Sequence, residues 1–218
     1  MDADDRVQHR RPMPPLVLFA AAGPLTVELE ESCARLGRRL AALLLNRAGP
    51  GVALEQTLLA PAEPLPTQAK GAEFLCPLFT PANRRSAVAE ALALGLRPAT
   101  ALVDPTAIVA ASARMEAGCY VNAGAIIGAL AVLGQFVTVN RGASIGHHAE
   151  IGDFASIGPG VVIAGMTRIG AGTLVGAGAV LAPTVTLGEG CVVAPGAVIT
   201  RDMPAGARAM GNPMRLFQ

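Results

Sequence analysis

The chain has 218 residues, with 17 Lys and Arg against 16 Asp and Glu, and three histidines. A formal charge of +1 gives no basic stripe, and one Tyr with no Trp leaves little to stack on bases, so nucleic acid is not an expected partner. Cys33, Cys76, Cys119 and Cys191 are widely separated and form no CxxC pair. That spacing argues against a zinc site, a redox pair or a disulfide framework, and the four read as small buried thiols in a reducing cytosol.

In chain order, residues 1–14 (MDADDRVQHRRPMP) read as a disordered arm. The apolar stretch that follows, LVLFAAAGPLT, is too short to cross a bilayer and leads into a charged helical pattern, so a soluble, cytoplasmic protein without a membrane span is expected. Leu16 to Ala20 predicts a strand. Thr26 to Gly37 predicts a helix capped by Thr26, with Glu28, Glu30 and Glu31 near its start and Gly37 past its end. Leu40 to Leu45 predicts a second strand, closed by the turn signal Asn46-Arg47-Ala48-Gly49-Pro50. Phe74 to Phe79 predicts a third, followed by a helix from Arg84 to Leu94 that ends at Gly95. Strands alternating with helices make residues 15–100 a small Rossmann-like α/β domain with a parallel sheet.

From Val103 the period changes to six. All seventeen positions from Val103 to Ile199 taken every sixth residue are Val, Ile, Leu or Met, against 13 of the other 80 residues in that span. Four residues after each of the first sixteen comes a side chain no larger than Val, such as Ala107, Ala125 and Thr173. An amphipathic helix or an ordinary alternating strand has the wrong period. Each hexad instead supplies a short strand and a corner, and stacked coils bury a column of aliphatic side chains. Three hexads per coil give about 5.4 coils and a prism about 26 Å tall at roughly 4.8 Å per stacked strand. Residues 101–218 are therefore expected to form a parallel β-helix with a C-terminal tail.

A solenoid core carries no chemistry by itself. The segment Asn140 to Gly160, NRGASIGHHAEIGDFASIGPG, holds two of the three histidines. His147 and His148 occupy the third and fourth places of a hexad, at a corner, where packing does not require them. The segment resembles the sugar O-acyltransferase family of the sialic-acid O-acetyltransferase (NeuD) type, which includes bacterial acetyltransferases of nucleotide-linked amino sugars. Asn140, Gly142, His147, Ile151, Gly152, Asp153, Phe154, Ile157 and Gly160 match its motif, and Gly211-Asn212-Pro213 with Arg215 resemble its closing segment.

That resemblance implies a left-handed β-helix, a homotrimer, acetyl-coenzyme A as acyl donor in a groove between prisms, no metal, and a sugar or nucleotide-sugar acceptor. It makes His147 the general base, with His148 and Asn140 beside it in the catalytic group. It places Ser156, Gly165, Ala177 and Pro195 on the coenzyme groove, and Ala22, Gly23, Asn46 and Arg47 at the acceptor. The sequence departs from the family in four places, one of them Asn46-Arg47, which replaces an acidic pair at the end of the second strand. His148 stands where the family has an acid that orients the base, with Glu150 or Asp153 as other orienting groups, and Ser156 stands where it has a second histidine. Phe19-Ala20-Ala21-Ala22-Gly23-Pro24 replaces a glycine-rich phosphate loop, and Pro24 removes an amide donor. Two alternatives remain. A γ-class carbonic anhydrase on the same solenoid needs three histidines at a metal, and only His147 and His148 lie in the prism. A catalytically silent trimeric β-helix that binds a nucleotide or protein partner would explain the departures.

Overall fold

The computed structural model describes residues 14–217, so all of the expected arm but Pro14 lies outside the described residues. The first element is a five-stranded sheet of β1 (Leu16–Phe19), β2 (Leu40–Leu45), β3 (Leu59–Pro61), β4 (Glu73–Leu75) and β5 (Arg97–Pro98). Its order is β3-β2-β1-β4-β5 and every pairing is parallel. Alternation along the strands sends Leu16, Leu18, Leu43 and Leu75 to one side, where α1 (Leu25–Arg35) covers them. Val17, Phe19, Leu44 and Phe74 go to the other, under α2 (Pro81–Ala93). Helices on both faces of a parallel sheet bury it completely, as its apolar strands require.

Local chemistry moves several boundaries. The third strand stops at Leu75 and does not reach Phe79, because Pro77 has no N–H to give a ladder. The second helix starts at Pro81 with Thr80 as N-cap, three residues before the expected Arg84, since proline's fixed φ suits a first helical position. Thr26 is not a cap: Pro24 holds that place, and Thr26 is buried in the first turn with its hydroxyl unbonded among the described residues. β3 and β5 were not expected. At three and two residues they show no periodicity, and only pairing with β2 and β4 defines them.

From Leu102 the chain winds into a prism of two-residue strands, each paired in parallel with the strand 18 residues on, as Val139 pairs with Ile157 and Ile145 with Ile163. It is a left-handed parallel β-helix of hexapeptide repeats. The aliphatic register residues fill its interior, together with small residues among which Cys119 and Cys191 are two. The hairpin Arg208–Met210 and Arg215–Phe217 closes the last coil.

The three faces differ in what points outward. On the first, Leu102, Tyr120, Thr138 and Ser156 are buried, because the α/β unit sits on them. On the second, Ile108, Ile126, Val162 and Val180 form an exposed aliphatic stripe. The third carries Arg114, Val132, Glu150, Arg168 and Thr186, all exposed.

Two clamps fix the α/β unit to the first face. From α1, the Ser32 hydroxyl donates to Asp104 at 2.6 Å and lies 3.0 Å from the Tyr120 hydroxyl, while Arg35 Nη1 donates to the same carboxylate. From α2, Arg84 is 1% exposed and donates to the carbonyls of Leu78, Phe79, Phe136, Phe154 and Ala155 and to the Ser156 hydroxyl. Burial pulls its guanidinium down to about 10, still charged at neutral pH. An aromatic ladder runs beside it, Phe74 on Phe136 at 5.8 Å and Phe136 on Phe154 at 5.3 Å. Phe136 and Phe154 hold left-handed backbones (φ 53° and 58°) at a corner where neighbouring coils have Gly118, Gly172 and Gly190. Each non-glycine there costs about 1–2 kcal/mol, which full burial of the Phe136 ring, at about 1.5–3 kcal/mol, offsets; Phe154 is half-buried, under the Arg85 guanidinium.

Candidate active site

His147 and His148 lie on the corner between the second and third faces, both exposed. The corner is held from above and below, since the His148 amide donates to Ala129 O at 2.9 Å and the Met166 amide to His147 O at 2.9 Å. The two rings meet edge to face, with centroids 5.2 Å apart and Nδ1 to Nδ1 at 3.0 Å. The imidazole of His147 lies over Gly165, one coil on. A Cβ at Gly165 would stand 2.5 Å from His147 Nε2, so only glycine leaves room for the ring in this pose. Asp153 accepts from the Gln135 amide at 2.8 Å and Glu150 pairs with Arg168 at 3.5 Å. Neither carboxylate touches His147.

The corner between the first and second faces is the second cluster. Asn140, nearly buried, accepts from the Asn122 amide at 3.0 Å and from the Arg141 N–H at 2.8 Å. Arg141 pairs with Glu28 of α1 at 3.0 Å. With Gly23, Pro24, Leu78, Thr80 and Asn83 they line a cleft of about 360 Å³ between the α/β unit and the prism. It opens where β1 and β4 send their chains to opposite faces of the sheet, the switch point at which open α/β sheets bind ligands. The amino ends of α1 and α2 both reach it.

The expected site residues thus divide. His147, His148 and Gly165 share one corner, whereas Asn140 stands at the other end of the second face and is not beside His147 within one chain. Ala177 and Pro195 stack on the corner of Asn140 and Arg141, exposed. Ser156 is on neither. It is fully buried at the domain junction, its hydroxyl donating to Phe79 O at 2.5 Å and receiving Arg84, so the α/β unit covers what was expected to face a coenzyme. Gly23 lines the cleft and Ala22 is exposed on the same loop. Asn46 and Arg47 line a different hollow of about 810 Å³ and are both tied to Glu90, at 2.8 Å and, for Arg47 Nη2, 2.6 Å. The loop after β1 keeps a glycine-like turn without glycine, since Ala20 has φ 67°. Arg141, Glu28 and Asn83 were not expected at the site, and nothing in their sequence spacing marks them. Among the described residues no cluster of His, Cys, Asp and Glu could hold a metal. No helix among them is long and apolar enough to cross a membrane.

The family description "Bacterial transferase hexapeptide (six repeats)" matches residues 130–165 and 166–201. No curated protein sequence matches the chain. Among solved structures, the acetyltransferase domain of PglB from Neisseria gonorrhoeae, in complex with acetyl coenzyme A, is 27% identical, with a TM-score of 0.83 over 94% of this chain and 100% of that one. PerB from Caulobacter crescentus, in complex with CoA and GDP-perosamine, is 26% identical, with a TM-score of 0.83 over 94% and 97%. WeeI from Acinetobacter baumannii shares the fold at 18% identity and a TM-score of 0.72 over 93% and 99%. Residues 130–201 of the prism thus carry the bacterial transferase hexapeptide repeat, and the architecture of the whole chain is similar to that of these solved structures.

Proposed function

We propose that the chain is an acetyl-coenzyme A-dependent N- or O-acetyltransferase acting on a sugar or nucleotide-linked amino sugar, with His147 as general base. The observation that carries this is a likeness to two coenzyme-bound acetyltransferase structures that spans the α/β unit as well as the prism. The motif around His147 favours the sugar O-acyltransferase family of the sialic-acid type, and a cytoplasmic enzyme with access to the donor.

His147 is an exposed imidazole stacked between the small residues Ala129 and Gly165, so Nε2 can reach a substrate. It takes the proton from the acceptor's amine or hydroxyl as that group attacks the thioester carbon, then returns it to the leaving thiolate. Such a base supplies about 10²- to 10⁴-fold in rate. Coenzyme A supplies the activated acyl group. On this chain Gly165, Ala177 and Pro195 would flank it through backbone and small side chains.

Two clusters on two corners become one site in a homotrimer. The aliphatic stripe of the second face needs covering, and a second copy is the partner we assign to it. With that face turned to a three-fold axis, the His147 corner of one copy meets the Asn140 corner of the next. The groove then has His147, His148 and Gly165 on one wall and Asn140, Ala177 and Pro195 on the other. The cleft beside Arg141 holds the acceptor, its diphosphate at the amino ends of α1 and α2.

The test is thiol release from acetyl-coenzyme A with a panel of amino-sugar nucleotides. Activity should fall at least 100-fold in His147→Ala. Mixed oligomers of His147→Ala with Arg141→Glu should regain turnover that neither parent shows. Survival of His147→Ala with loss in His148→Ala would overturn the choice of base, and coenzyme binding without turnover on any acceptor would favour the silent scaffold. A complete site within one chain would leave the mixed oligomers dead.

A further inference from the structure

We propose that His148 is the positioning residue for His147, a neutral imidazole acting where a carboxylate would be expected; this rests on His147 being the base. Among the described residues, the side-chain hydrogen bond that His147 makes is the 3.0 Å contact between the two Nδ1 atoms. A contact of that length requires one Nδ1 to carry hydrogen and the other to be bare. When His147 Nε2 takes the acceptor's proton, the resulting imidazolium carries hydrogen on both nitrogens. Its Nδ1–H must then donate, and His148 must receive it on a bare Nδ1 with its own proton on Nε2. As the thiolate leaves, Nε2 gives the proton to sulfur and His147 is neutral again.

The surroundings leave this role to His148. The nearby carboxylates are engaged elsewhere, Glu150 with Arg168 and Asp153 with the Gln135 amide. Glu150 and Arg168 line the hollow of about 490 Å³ beside His148, and their opposite charges face each other. His148 also holds a left-handed backbone, φ 56°, and its amide is bonded to Ala129 O. Leu130, Met166 and Thr184, at the same place on neighbouring coils, hold the same left-handed backbone, so the corner accepts a side chain there and the imidazole is what distinguishes this coil.

Three histidines in the chain make the test direct. Nitrogen-15 NMR of histidine-labelled protein reads the tautomer of His147 without substrate or turnover. The wild type and His148→Asn, whose side-chain oxygen can occupy the place of Nδ1, should hold His147 with hydrogen on Nδ1 and Nε2 bare. In His148→Gly the tautomers should mix, kcat should fall about 10- to 100-fold out of what the base supplies, and the KM for the donor should stay within about twofold. His148→Asn should recover most of kcat, and the Tm of His148→Gly should equal or exceed that of wild type. An unchanged His147 tautomer in His148→Gly, or equal losses in the Gly and Asn variants, would overturn the role. The expected tautomers in a protein that turns over no acceptor would leave this pairing intact and count against the acyltransferase reading alone.

Discussion

Gly165→Ala separates catalysis from folding, and its effect follows from distances. The new methyl would stand 2.5 Å from His147 Nε2, 2.6 Å from Cε1 and 3.0 Å from Cδ2. Ordinary contacts are about 3.5–4.0 Å, so the ring must retreat by about 1 Å, which also breaks its contact with His148. A misplacement of that size costs about 10²-fold in rate, equivalent to about 2.7 kcal/mol. Folding should hardly notice. His147 is exposed and free to swing, and Gly165 is not among the residues with positive φ, so alanine fits its backbone. Replacing glycine at a compatible position stabilises by about 0.4–1 kcal/mol. The expected outcome is a kcat about 100-fold lower at an unchanged or higher Tm, read by thiol release and thermal unfolding. If kcat/KM stays within threefold, the imidazole does not work from this seat. If donor KM rises and kcat holds, Gly165 serves the coenzyme and not the base.

The domain clamps give two further expectations. Arg84→Met removes a buried cation from five carbonyls and a hydroxyl, and should cost roughly 3 to 5 kcal/mol in urea unfolding; a loss under 1 kcal/mol would mean the junction is held by the aromatic ladder alone. Burial pushes the Asp104 carboxyl up, but bonds from the Ser32 and Thr106 hydroxyls, the Thr106 amide and Arg35 outweigh it and hold it at about 2, below the ordinary 3.8. A depressed carboxyl binds its proton more weakly in the folded state, so its contribution, roughly 2 kcal/mol, is complete above about pH 4 and lost as pH falls through 2. Wild type and Asp104→Asn should therefore lose their difference in stability between pH 5 and pH 2, and a constant difference would refute the assignment.

The prism was legible because one rule repeats. Every hexad must put an aliphatic residue inward, and a pattern with no exceptions leaves no other period to fit. His147 and His148 stood out for the complementary reason, as residues the packing rule does not need. The α/β unit was less legible, since Leu59–Pro61 and Arg97–Pro98 are strands only by virtue of their neighbours. Docking was invisible. Ser156 looks like any small polar residue on a solenoid face, and its burial follows from the α/β unit resting on that face. Likewise Arg84 sits in an Asn-Arg-Arg-Ser run that reads as a solvated helix turn, yet it is the cation at the domain junction. Asn140 was grouped with His147 through one motif, and the corner geometry puts a whole face between them within one chain.

The 18-residue offset between paired strands also makes the prism a graduated scale. Each graduation is one coil, about 4.8 Å, and every corner repeats at each mark. His147 stands at one mark, with Ala129 a mark before it and Gly165 a mark after. A donor laid along such an edge presents its reactive carbon at one height, fixed by the length of its flexible arm. The coil on which the histidine sits therefore sets the reach of the arm that can be used. Moving the pair by 18 residues would change that reach by one graduation and leave every inward-facing residue where it was.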